Sequence, residues 1–212
     1  CSSDLVPTSE LQNKVDRYYF YETVKIGEDN VYVSPLDLNE EHGEIEEPHK
    51  PMIRFSTPLH NANGELVGVI VLNYLAKNVL ESFRELALNS QGEMALLNSQ
   101  GYWLSSNDKS LEWGFMFDDR KDVTFANAYG GDWSVLKGKG QLVIPKGLFT
   151  FAPVNLQHKI ALNNMISLDE KIHLGDGQWY IVSSVLSDGI HSSLFIENAA
   201  ELALDVLKKN VL

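Results

Sequence analysis

Pro51-Met52-Ile53-Arg54-Phe55-Ser56-Thr57-Pro58 and Leu66-Val67-Gly68-Val69-Ile70-Val71-Leu72-Asn73-Tyr74 are joined through Asn61-Ala62-Asn63-Gly64. This stretch decides the fold class. Both runs are rich in β-branched and apolar residues, and the Asn/Gly link supplies the backbone freedom that a tight reversal needs. They predict an antiparallel pair. Upstream, Val31-Tyr32-Val33 reads as a short strand broken at Ser34-Pro35, followed by a long loop from Leu36 to Pro51. Pro7-Thr8-Ser9-Glu10, with Leu11, Val15 and Tyr18 at helical spacing, predicts a helix to about Thr23, ended by Gly27. Downstream, Val79, Leu80, Phe83, Leu86 and Ala87 fall on one face of a helix predicted over 75–90.

A second cycle follows. Glu93 to Asn98 is a predicted strand, Asn98-Ser99-Gln100-Gly101 a turn, and Tyr102-Trp103-Leu104 the returning strand. Thr124 to Leu136 reads as a helix, and Gly140 to Ile144, Leu148 to Val154 and Gln178 to Leu186 as strands. From Ser192 onward, Phe195, Ala199, Leu202 and Val206 form a seam of coiled-coil spacing, suited to a helix that pairs with another chain. The order predicts an α+β protein of two tandem modules, residues 1–88 and 89–212. Each has a central antiparallel sheet with flanking helices, and a C-terminal helix follows.

A chain of 212 residues is long enough for two small cores. Its net charge of −12 would repel a phosphate backbone, and no Lys/Arg stripe offsets it, so nucleic acid is excluded as a partner. The single cysteine, Cys1, rules out a disulfide scaffold. The apolar stretch Leu66 to Leu75 is too short for the ~20 residues of a membrane-spanning helix. Cys1-Ser2-Ser3-Asp4 fits either a truncation boundary or a lipid-modified mature terminus. The second case would make the chain a lipid-anchored periplasmic binding or interaction protein, the alternative to a receptor domain.

Four ordered blocks carry a family resemblance: Leu11 to Phe20, Val31 to Asn39, Pro51 to Pro58 and Gly68 to Tyr74. Leu96 to Leu104 with Glu112-Trp113-Gly114-Phe115-Met116-Phe117 adds a block from the second module. Together they resemble the double Cache (PAS-like) periplasmic sensor domains of bacterial histidine kinases, diguanylate cyclases and chemoreceptors. The resemblance implies a ligand-sensing, non-catalytic domain on the periplasmic side of the inner membrane. It also implies a small-molecule ligand in the membrane-distal module, a homodimer formed through helices of the full-length receptor, and a long helix and first strand ahead of Cys1. Membrane attachment would come through segments outside this chain.

Amino-acid-binding members carry an Arg, one spacer and two aromatics, with an Asp at the end of a later strand that holds the ligand's ammonium. Arg17, Tyr19 and Phe20 match the first part, while Asn73 stands where the Asp would be. An amide accepts a hydrogen bond but carries no negative charge, which turns the expected ligand from an amino acid or amine toward a carboxylate or another small polar metabolite. The resemblance and the residue types together nominate Arg17, Tyr19, Phe20, Tyr32, Ser34, Asp37, Arg54 and Asn73 as the ligand site.

Arg54 interrupts an apolar strand, where its guanidinium could grip a ligand carboxylate, or point to solvent or pair with an acidic side chain. Of Tyr18, Tyr19, Phe20, Tyr21 and Tyr32, two or three are expected to line a pocket and the rest to build core. Asp37 and Asn39 follow Pro35, and Asn39 reads as a turn residue. The loop with Glu40, Glu41, His42, Glu44, Glu46, Glu47 and His49 reads as a solvated charge run, and neither metal nor cofactor is expected. No catalytic motif of the hydrolase, metalloprotease, phosphate-binding or dinucleotide-binding kinds occurs. Trp103, Trp113, Phe115, Phe117, Trp133 and Trp179 read as core or interface of the second module.

Overall fold

The computed structural model describes residues 7–90, 92–130, 138–154 and 171–187. Contacts divide the chain into two compact units. The first holds the described residues up to 75 together with 171–175, and the second those from 76 to 154 with 176–187. The sequence-based division at residue 88 thus differs from the contact-based one by a helix at the junction and by a short returning strand near residue 173.

In the first unit, β5 (Pro51–His60) and β6 (Leu66–Leu75) form the antiparallel hairpin, in register from Met52 opposite Leu75 to Leu59 opposite Gly68. Asn61 closes the turn, its Oδ1 accepting from the backbone N–H groups of Asn63 and Glu65. The other edge of β5 is shared by β1 (Val31–Val33) and β2 (Asp37–Leu38), each pairing with a different segment of it. A further strand, β11 (Ile172–Leu174), lies parallel to β1, an association that local sequence did not foreshadow. The loop expected over 36–51 is more structured than predicted, holding β2 and the small hairpin β3 (Glu40–Glu41) and β4 (Glu44–Ile45).

Helix α1 (Tyr18–Lys25) covers the β5 face on which Arg54, Ser56 and Pro58 are buried. Thr23 fastens it, donating from Oγ1 to the Tyr19 carbonyl at 2.6 Å and sharing a short hydrogen bond with Ser56. The helix predicted from Pro7 starts only at Tyr18, after a single 3-10 turn at Thr8–Glu10. Leu11 and Val15 are exposed, so a helix there would bury nothing. Gln12 and Lys14 are held instead by the β3–β4 hairpin through Glu41.

The second unit is an antiparallel sheet of β7 (Glu93–Leu97), β8 (Trp103–Ser105), β9 (Gly140–Ile144), β10 (Gly147–Val154) and β12 (Trp179–Leu186). Their order is β8-β7-β12-β10-β9. Its core gathers Leu97, Trp103, Phe125, Phe149, Phe151, Tyr180 and Val182. Trp113 and Trp179 are buried, Phe115 and Phe117 half-buried, and Trp133 lies outside the described residues. Helix α2 (Lys77–Leu88) buries Leu80 and Phe83 but leaves Leu86 exposed. Helix α3 (Phe125–Tyr129) is capped by Thr124 and stops where Gly130 takes a φ of 79°. Within the described residues it is therefore shorter than the predicted 124–136. The predicted tail helix and Cys1 fall outside the described residues.

Candidate ligand site in the first unit

Arg54 is the centre of a buried polar network. Its guanidinium donates from Nη1 to Asp37 Oδ1 at 2.5 Å and from Nη2 to Asn39 Oδ1 at 3.1 Å. The Tyr18 hydroxyl donates to the other Asp37 oxygen at 2.6 Å. Ser34 accepts from the Arg54 backbone N–H through Oγ at 2.8 Å, while its own N–H donates to the Arg54 carbonyl. The Tyr19 ring packs against the guanidinium, 5.0 Å from Cζ to the ring centroid, a cation–π contact out of water. Arg54 is only 2% exposed.

Sheet register explains the convergence. Residues directly opposite in an antiparallel pair share a face. Asp37 opposes Met52, Tyr32 opposes Ser56, and Asn73 opposes Arg54. Because 52, 54 and 56 alternate to one side of β5, Tyr32, Asp37, Arg54 and Asn73 all project toward the face that carries α1. Asn73 is nevertheless exposed, whereas Tyr32 and Asp37 are buried.

Electrostatics follow from this burial. Desolvation raises the Asp37 carboxyl above its ordinary value, against the lowering pull of Arg54 and the Tyr18 hydroxyl. Burial, then the Asp37 charge, pushes the Tyr18 phenol up. Burial works against a charged Arg54, and the adjacent carboxylate outweighs it, so the guanidinium is held protonated. The network is an internally neutralised pair with both terminal guanidinium nitrogens occupied.

Arg17 stands differently. It is half-buried, ion-paired with Glu40, and 5.8 Å from the Tyr19 ring. It borders a cleft of about 520 Å³ whose walls include Gln12, Lys14, Glu40 and His42. At the hairpin beside it, Glu41 accepts from Gln12 at 2.7 Å, Lys14 at 3.0 Å and Asn39 at 3.2 Å. Desolvation is the largest single influence and raises its carboxyl, but these bonds and the Lys14 charge together outweigh it and pull the carboxyl down to about 2. Among the described residues no group of three metal-ligating side chains forms.

Of the nominated residues, Arg17, Tyr19, Ser34, Asp37 and Arg54 are brought together by direct contact, and Tyr32 and Asn73 by sheet register. Phe20 is half-buried on α1 and takes no part in the network among the described residues. Tyr18 and Asn39 are the members that sequence reading did not nominate. The signal for Asn39 was its alternation with Asp37, which puts the two side chains on one side of an extended segment.

A family model for the bacterial histidine kinase sensor domain matches residues 2–166. The chain belongs to this family. Its members are sensor domains, not catalytic ones, so this domain is not an enzyme, and its fold is of the Cache type. Among solved structures, it is similar to the extracellular domain of vpHK1S-Z8, assigned as a histidine kinase. The identity is 18% and the TM-score 0.62, over 86% of this chain and 59% of that one. A domain assigned to the sensory box/GGDEF family from Vibrio parahaemolyticus gives 17% and 0.63, over 84% and 60%. The ligand-binding domain of the Pseudomonas aeruginosa amino acid chemoreceptor PctC, solved with GABA, gives 17% and 0.53, over 86% and 66%. The sensor domain thus spans less than two thirds of each of these chains. No curated protein sequence matches it. Among the described residues no helix is long and apolar enough to cross a membrane.

Proposed function

We propose that the first unit of this sensor domain binds a small carboxylate-bearing metabolite, amino acids included, on the α1-facing side of its sheet. Arg17 would be the group that meets the anion. One observation carries the reading: Arg54 is buried with its partners Asp37 and Asn39, whereas Arg17, though ion-paired with Glu40, is part-exposed and borders an open cleft, where an incoming carboxylate would compete with Glu40 for it. The Arg54–Asp37–Tyr18 network and the Tyr19 ring then serve as a rigid floor. Tyr32 and Ser34 back this floor from the buried side, Phe20 lies on α1 itself, and the exposed Asn73 amide, opposite Arg54 in register, would meet a polar ligand group. Support comes from the complex of PctC with GABA, a molecule with a carboxylate at one end and an ammonium at the other.

In the full receptor the domain would lie on the periplasmic side of the inner membrane, held by segments outside this chain. Occupancy would bias helix packing in a homodimer and so a cytoplasmic histidine kinase or diguanylate cyclase output. A ligand shifts such an equilibrium only by its differential affinity for the two states.

The test is a thermal-shift screen of the 212-residue chain against amino acids, carboxylates, amines and sugars, since a ligand that binds only the folded state raises Tm by mass action. A rise with carboxylate-bearing compounds that disappears in Arg17→Ala is the expected result. A rise that persists in Arg17→Ala, or no rise with any carboxylate, overturns the assignment.

A further inference from the structure

The second unit holds a cavity of about 450 Å³, separate from the site above. Sheet register places Glu93 opposite Ser184 and Ala95 opposite Val182, so these four side chains share one face of the sheet and line the cavity together. Its inner wall is continuous with the core, through Trp103, Phe125 and Val182. Phe125 and Tyr129 lie with ring centroids 4.8 Å apart, and Trp103 and Phe125 6.1 Å apart, which gives the cavity a wall of fixed aromatic surfaces.

Among the described residues two carboxylates line the same cavity, and no lysine or arginine does. Asp108 is held by Ser110, whose N–H and Oγ donate to Oδ1 at 2.9 and 2.7 Å. Those hydrogen bonds lower its carboxyl and keep it ionised, and they engage only one of its two oxygens. Glu93 is exposed and has no ion pair or side-chain hydrogen bond among the described residues. After burial, its charge is what raises the Tyr129 phenol, so its field reaches the aromatic wall. A pocket with an aromatic wall and carboxylates at its polar rim attracts a cation twice, by ring quadrupole and by carboxylate, and repels an anion.

We propose that this cavity is a second ligand site, selective for a small organic ammonium ion that sets its charged head at Glu93 and Asp108 and its apolar body against Trp103, Phe125 and Tyr129. The two units would then prefer ligands of opposite charge, an anion in the first and an ammonium in the second. The proposal does not depend on the first site being occupied.

Two probes with the same aromatic body separate the possibilities by isothermal titration calorimetry on the 212-residue chain: phenethylamine and 2-phenylethanol. Phenethylamine is expected to bind at least about tenfold more tightly than 2-phenylethanol, the factor a single well-placed charge contact confers. The double variant Glu93→Gln/Asp108→Asn, both at exposed positions and with the amide carbonyl at position 108 still able to accept from Ser110, should stay folded and lose that preference. Arg17→Ala should leave phenethylamine binding unchanged. The proposal is overturned by equal affinity for amine and alcohol, by no phenethylamine binding, or by a preference that survives the double variant. Loss of amine binding in Arg17→Ala would assign it to the first unit and equally overturn the proposal.

Discussion

Arg54 and Asp37 form an ion pair 2.5 Å long, with side chains only 2% and 8% exposed, between the middle of β5 and the short strand β2. Both groups are largely withdrawn from water, so each depends on the other for its charge to be tolerated. Tyr18 adds a hydrogen bond to the carboxylate and Asn39 accepts one from the guanidinium. The pair therefore fixes the loop after β1 against β5, and with it the wall of the candidate ligand site.

Removing one partner should be far more costly than removing both. Asp37→Ala leaves an uncompensated buried guanidinium, and a loss of about 3–5 kcal/mol is expected from urea unfolding. The double variant Arg54→Met/Asp37→Leu, which replaces the pair by apolar side chains, should recover most of that loss. If the double variant is as unstable as the single one, the network's value lies in its shape and not in its charge balance.

Glu41 predicts a pH dependence at the acid end. Its folded carboxyl sits at about 2 against an ordinary 4.5, so the folded state binds its proton less readily than the unfolded chain does. The sign follows: Glu41 contributes stability above pH 4.5 and loses it as pH falls through that value toward 2. Unfolding curves of the wild type and Glu41→Gln should differ at neutral pH and converge as the pH drops across this window. A difference that stays constant to the lowest pH would show that Lys14, Gln12 and Asn39 do not prefer the ionised form.

Gly175 should not tolerate a side chain. A Cβ there would lie 2.5 Å from the Tyr32 hydroxyl and 2.9 Å from Pro35 Cδ, while the Gly175 N–H is bonded to the Val33 carbonyl and holds the backbone in place. Gly175→Ala is expected to cost about 1–3 kcal/mol through overpacking. Because the clash falls on Tyr32, it should also weaken ligand binding in the first unit. An unchanged Tm would mean that the segment after β11 can move away from Tyr32.

Much of the fold was legible along the chain because it is set by neighbours in sequence. Alternation and turn chemistry over residues 51–75 specify the β5–β6 hairpin, and the same signals over 93–105 and 140–154 specify strands of the second sheet. The segment before Tyr18 was misread because helical spacing says only that apolar side chains would line up, and there was no surface for Leu11 and Val15 to cover. For the site, the composition of residues 17–73 announced a polar constellation in an apolar setting, and Arg54 in an apolar strand was its clearest sign.

Sequence alone thus determined the α+β class, the two sheets and the pool of polar residues from which a site can be built, since these rest on local periodicity, charge and turn preference. Only the tertiary structure decided that β11 returns to lie parallel to β1, that Arg54 is neutralised from within by Asp37, and that Arg17 is left facing the cleft. Those outcomes depend on which distant segments meet. A buried charge takes the nearest partner that the packing offers, and nothing in the local sequence records which partner that will be.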